Sequence, residues 1–278
     1  MTSVDIRPLS LGEILDRSFS LYRDHFRLFL GISIIPHLPV LAWGISQVWL
    51  VSVPSIRARA LGIPTPVSPA ATFVLNFTSF IVEFFAVYLL TQAPTAYAVS
   101  EIYLGRTLSI ASSFGRMRRR IWPLAAYTLL SGTAILLATL LFLVPGISLA
   151  CRLITALPAA ALENLGPGKA FRRSFRLTRD HAGRALVICF LYFFLRLVAF
   201  TLLLYPERLA AVMAQSEPGI AAVWLDLIAV ASVFEATLIG PFLTIAATVF
   251  YFDLRVRKEA LDLQLMLNAE GELPRIWP

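Results

Sequence analysis

Charge is what this sequence has least of. Of its 278 residues only 15% are Asp, Glu, Lys or Arg, against 58% hydrophobic, and mean hydropathy is +0.76. Soluble domains run at about 25% charged and about 45–50% apolar. The deficit excludes a water-soluble shell around an ordinary core, so lipid is the solvent for much of the surface. Long polar segments are missing too, and with them room for an independent soluble enzyme domain. Cysteine is limited to Cys151 and Cys189, both inside apolar runs, which reads as packing and not as a disulfide framework or a metal cluster. Histidine is limited to His25, His37 and His181. A glycine-rich phosphate loop, metal-ligand spacing and a nucleophile elbow are all lacking, so neither catalysis nor a cofactor or metal is expected. The start, Met-Thr-Ser-Val-Asp-Ile-Arg, has no basic stretch running into an apolar one, so no cleaved signal peptide is expected.

What is present is a recurring frame. Asp16-Arg17-Ser18-Phe19-Ser20-Leu21-Tyr22-Arg23-Asp24-His25 returns as Arg172-Arg173-Ser174-Phe175-Arg176-Leu177-Thr178-Arg179-Asp180-His181. A fainter copy lies between them, Ser113-Phe114-Gly115-Arg116-Met117-Arg118-Arg119-Arg120. Each copy precedes an apolar stretch long enough to cross a bilayer. Residues 10–25 predict an amphipathic helix opened by the capping box Ser10-Leu11-Gly12-Glu13, with apolar and charged residues on opposite arcs. That split suits a helix lying in the membrane interface. Pro167 suits the first turn of the third such helix.

Six spans follow from the apolar runs, at about 26–51, 71–97, 121–143, 147–162, 185–205 and 220–251. Pro36 and Pro39 predict a kink in the first. Val144-Pro145-Gly146 predicts a tight turn between the third and fourth. Gly240-Pro241 interrupts the sixth, which is expected to run on as helix into Asp253–Glu259. Ser100–Arg106 reads as a polar connector. The expected fold is therefore all-α, a polytopic membrane protein of one domain. Its six transmembrane helices form three repeats, each an interfacial helix plus two spans (about 9–105, 106–165 and 166–262), with a tail over 263–278.

Nineteen of the 24 Lys and Arg lie at the termini or in the second and fourth connectors; Arg57, Arg59 and Arg208 lie in the opposite loops. The positive-inside rule then puts both termini and all three interfacial helices on the cytoplasmic side of a plasma (inner) membrane. A net charge of +7 would suggest nucleic acid in a soluble protein. Here anionic phospholipid is the expected partner, through Arg17, Arg23, Arg116, Arg118, Arg119, Arg120, Arg172, Arg173, Arg176 and Arg179, and nucleic acid is not. Within the spans lie Glu83, Arg152, Arg196, Asp226 and Glu235. A charge at a span centre costs about 2.5–3.5 kcal/mol, so these should face inward and pair. Depth counted from the outer turns pairs Arg152 with Asp226, and Arg196 with Glu235 or Glu83. His37, between two prolines, reads as an interior histidine.

Residues 7–26 resemble the opening of a bacterial family, the one named for the membrane domain of glycerophosphoryl diester phosphodiesterase. Ala170–Thr178 resembles its central motif and Tyr251–Glu259 its closing motif. The resemblance implies a six-span helical domain, which some members fuse to a catalytic barrel. This chain has no such barrel, so the resemblance transfers no activity and no catalytic residue. The expected role is a non-catalytic membrane module that organises anionic lipid or a partner membrane protein, or assembles with itself. Two alternatives remain. One is a small transporter or lipid translocator using the buried charges. The other is an accessory subunit of a lipid-phosphodiester enzyme.

Overall fold

The computed structural model describes residues 7–82, 88–103, 105–106, 108–213 and 217–261, and all regular structure among them is helical. In chain order the helices are α1 (Leu11–Asp24), α2 (Phe26–Gln47), α3 (Val53–Ala60), α4 (Pro69–Val82), α5 (Tyr88–Tyr103), α6 (Ile110–Arg118), α7 (Ile121–Leu141), α8 (Leu143–Leu153), α9 (Ala156–Leu162), α10 (Pro167–Thr178), α11 (Ala182–Met213) and α12 (Pro218–Glu259). A π-helical turn, Val48–Ser52, joins α2 to α3.

Among the described residues, five helical stretches are long and apolar enough to cross a membrane: Phe26–Ser55, Ile121–Leu141, Leu143–Leu162, Ala182–Pro206 and Gly219–Glu259. The chain is a helical membrane protein. The expected second span includes residues 83–87, which lie outside the described residues; α4 and α5 on either side are 14 and 16 residues long. The tail from 262 onward also lies outside them.

α12 is the axis of the bundle. It runs 42 residues, about 63 Å at 1.5 Å per residue, and packs against α11, α2, α5 and α1. Gly240-Pro241 does not interrupt it. Proline removes one backbone donor and spreads the preceding turn, and there Tyr22 Oη donates to the Leu238 carbonyl oxygen at 2.8 Å. α5 is largely enclosed. Its small residues Ala93, Ala96, Ala98 and Ser100 are buried, so neighbouring backbones approach closely. The expected connector at Ser100–Arg106 is helical to Tyr103, and Glu101 is buried within it.

The turn at Val144-Pro145-Gly146 also differs. The chain breaks earlier, at the extended residue Phe142, and Pro145 sits in the first turn of α8, where no amide donor is needed. A Cβ on Gly146 would lie 2.1 Å from Thr139 Oγ1, so the tight crossing of α7 and α8 requires glycine. Between α8 and α9 the helix breaks again, and α10 supplies the missing partners. Ser174 Oγ donates to the Arg152 carbonyl oxygen at 2.6 Å and meets Thr155 Oγ1 at 2.8 Å, and Thr178 Oγ1 reaches the same carbonyl at 3.3 Å. Lipid offers no substitute for these bonds. Ser18, Ser113 and Ser174, the serines of the recurring frame, are all fully buried.

Leu9, just before α1, meets the last turns of α12 at one end of the bundle, where α1, α6 and α10 also lie. Asp253, with a fully buried side chain, accepts from the Leu9 amide at 2.7 Å, from Arg184 at 2.8 Å and from Arg257 Nε at 3.1 Å. Arg184 and Arg257 also donate to the Leu9 carbonyl oxygen, at 2.5 and 2.6 Å. The capping box of α1 forms as expected: the Ser10 amide donates to Glu13 at 2.6 Å and the Glu13 amide to Ser10 Oγ at 3.3 Å. The Ser10 amide, then its hydroxyl and Arg7, hold the Glu13 carboxyl down at about 2.

Two outcomes follow. Asp253→Asn should lower stability by about 3–5 kcal/mol, because removing one member of a buried pair strands the others; thermal unfolding in detergent reads this, and an unchanged midpoint refutes it. Glu13 favours the folded cap fully above its ordinary value of 4.5 and loses that contribution as pH falls towards about 2. Protection of the amides at the start of α1, relative to their intrinsic exchange rates, should therefore fall in that window, and that fall should vanish in Glu13→Gln.

Candidate functional site

At the basic end, α5 brings Glu101 between the loop after it and α6. The side chain is 7% exposed and lies 2.5 Å from Arg116 and 3.6 Å from Arg106. Arg119 and Arg120, in the break between α6 and α7, stand on the same wall. Together with Tyr97, Ser100 and Asn164 they line a cavity of about 380 Å³. Four arginines less one carboxylate leave it a formal charge of +3. This is a concave, strongly basic site with hydroxyl and amide groups at hand, suited to a phosphate-bearing headgroup. The sequence reading missed Glu101. Its signal was there: it is the sole carboxylate between Glu83 and Glu163, beside the densest arginine run.

The other basic residues divide. Arg118, Arg172, Arg176, Arg179 and Arg23 are exposed. The Arg17 guanidinium lies over the Tyr103 ring, 5.3 Å from its centroid. Arg173 is different. Only 10% of its side chain is exposed, and it pairs with Glu163 at 2.7 Å and with Glu259 through both terminal nitrogens. Burial works against its charge, but bonds and attraction from Glu259 and Glu163 outweigh that and hold the guanidinium above its ordinary value. Arg173 joins α10 to the end of α12 and presents little to a headgroup.

A second cluster lies deep in the apolar zone. Arg196 of α11 pairs with Glu235 of α12 at 2.6 Å, one of the pairings the sequence suggested. Glu83 falls outside the described residues. Arg152 and Asp226 do not pair. Arg152 ends α8 beside α10, 5.9 Å over the Phe175 ring, while Asp226 accepts from Trp49 Nε1 at 2.9 Å. Counting depth from the outer turns misled because α8 breaks after Leu153 and its end packs on α10, while Asp226 meets Trp49 in the π-helical turn after α2. Asp226 Oδ1 is buried with no partner among the described residues. His37 is buried, with its Nδ1 2.6 Å from the Ser33 carbonyl oxygen. Arg196, Glu235 and His37 line a cavity of about 390 Å³ between α2, α4, α11 and α12.

Among the described residues no group of three or more His, Cys, Asp or Glu is placed to hold a metal ion. No family model, no curated protein and no solved structure matches the chain.

Glu101→Gln should cost only about 1 kcal/mol, because its partner arginines are half-exposed and stay solvated. It should also raise affinity for inorganic phosphate by removing the one opposing charge in the cavity. Thermal unfolding and phosphate titration check both; weaker phosphate binding would contradict the charge argument.

Proposed function

We propose that this chain is a non-catalytic membrane module that holds anionic phospholipid at the cytoplasmic face of the plasma membrane. The observation that carries the reading is the cavity of about 380 Å³ lined by Arg106, Arg116, Arg119 and Arg120 around Glu101. Each cation near an anionic leaflet contributes about 1 kcal/mol, and a concave wall focuses several of them on one headgroup. On this reading the basic end is cytoplasmic by the positive-inside rule. The chain is then a membrane domain of the family that residues 7–26, 170–178 and 251–259 resemble. The six-span, threefold arrangement belongs to the same proposal. It is supported by the matching burial of Ser18, Ser113 and Ser174, and by Phe29, Leu124 and Ala185, each buried eleven positions after its serine. A partner membrane protein or a second copy of the chain would dock on this module, and an accessory role beside a separate lipid-phosphodiester enzyme fits that arrangement. A second reading, a small transporter or lipid translocator, is favoured by the polar cavity around Arg196 and Glu235.

The test is the phosphatidylglycerol retained by the full chain after purification in maltoside detergent. Replacing Arg119 and Arg120 together with glutamine removes about 2 kcal/mol, so affinity should fall roughly 30-fold. Salt should compete progressively with the natural chain. Retention that is insensitive to both the substitutions and salt would sink the proposal.

A further inference from the structure

α11 and α12 are joined by two ion pairs of opposite design. At the basic end Arg184 meets Asp253, whose side chain is fully buried and whose two oxygens are both taken up by Leu9, Arg184 and Arg257. Farther along the same two helices, Arg196 meets Glu235, with side chains 38% and 16% exposed. This second pair is not sealed by packing. It stands on the wall of a cavity of about 390 Å³, within the range of small-ligand sites. By helix rise it sits roughly 20–25 Å from the first pair, well inside an apolar zone. A rivet would need no such space beside it.

The rest of the wall shows what the space suits. Gln47 and Asn76 offer neutral donors and acceptors. Trp43 lines it with its indole N–H donated to Ser79 Oγ at 2.8 Å, which fixes the ring. Trp43 and Phe200 are themselves exposed, so the mouth of the cavity lies on the flank of the bundle. An aromatic face beside a carboxylate suits an ammonium group; a guanidinium suits a phosphate or carboxylate. Net charge decides between a simple ion and a zwitterion. The Arg196–Glu235 pair is already neutral, so a lone anion or cation would leave one uncompensated charge in a low-dielectric zone, whereas a zwitterion adds none.

We propose that the cavity between α2, α4, α11 and α12 is a binding site for a zwitterion, an ammonium and a phosphate or carboxylate on a short spacer. The anionic end lies at Arg196 and the ammonium between Glu235 and Trp43. Such a group comes either as the headgroup of a zwitterionic phospholipid entering from the bilayer or as a free soluble compound. This site is separate from the arginine cavity at the basic end and stands without it.

The experiment uses the full chain in maltoside micelles with two probes. Dioleoyl phosphatidylethanolamine is titrated by native mass spectrometry and glycerophosphoethanolamine by calorimetry. Saturable binding of one zwitterion per chain is expected. It should weaken at least tenfold in Arg196→Gln and in Ala236→Leu, which fills the cavity without touching the ion pair. It should be unchanged in Lys169→Gln, an exposed substitution outside both cavities. If Arg196→Gln unfolds, Ala236→Leu carries the test alone. Binding of the lipid but not the soluble compound assigns the source to the bilayer; binding of both admits the free zwitterion. The proposal is overturned if neither probe saturates, if Ala236→Leu binds as the natural chain does, or if phosphatidylglycerol binds the same site equally well.

Discussion

The structure depends on a buried carboxylate. Asp253 has its side chain wholly out of water, near the end of a 42-residue helix, and a charge there is tolerable only when fully compensated. The compensation comes from three distant parts of the chain: the amide of Leu9, the guanidinium of Arg184 at the start of α11, and Arg257 one turn on. Meeting those demands ties the beginning of the chain to its end and sets α11 against α12. Arg173 does the same for α10, through Glu163 and Glu259.

Around that end the packing is dense because the contributing residues are small. Ala93, Ala96 and Ala98 of α5, Ala159, Ala160 and Ala161 of α9, and Ala246 and Ala247 of α12 are all buried. Lipid supplies no hydrophobic drive between helices, so close approach and polar satisfaction must hold them. Hydroxyls perform the second task at two places: Ser174 and Thr178 at the α8 terminus, and Tyr22 on the turn of α12 that precedes Pro241. Away from that end the arrangement opens. Phe190, Phe193, Leu202 and Leu140 face outward, and Arg196, Glu235 and His37 border a cavity. Both levels hold a cavity: one is walled by arginines at the basic end, and the other opens on the flank of the bundle beside Arg196 and Glu235.

Much of this is legible before any coordinates. Composition requires a membrane solvent, periodicity places α1 and α10, and the capping box at Ser10 forms with the residues that announce it. The pairing of Arg196 with Glu235 follows from the cost of two charges inside apolar helices. Glu101 is harder to read. A glutamate in Ser-Glu-Ile-Tyr looks like a connector, and only the approach of α6 shows that its partners are Arg116 and Arg106. The Arg152 side chain likewise took the Phe175 ring in place of Asp226, because the packing of α8 on α10 is set by tertiary structure and not by residue counting.

The sequence by itself determined the solvent, the helical periodicity and the basic end, because these are sums over local residue properties. Only the tertiary structure decided which arginine is a rivet and which lines a cavity. Arg173 and Arg119 are chemically identical and sit in similar arginine-rich runs. One is enclosed by Glu163 and Glu259, brought from other helices, while the other borders open space beside Glu101. The desolvation and pairing of a charge depend on what the rest of the chain places around it, and no local pattern carries that.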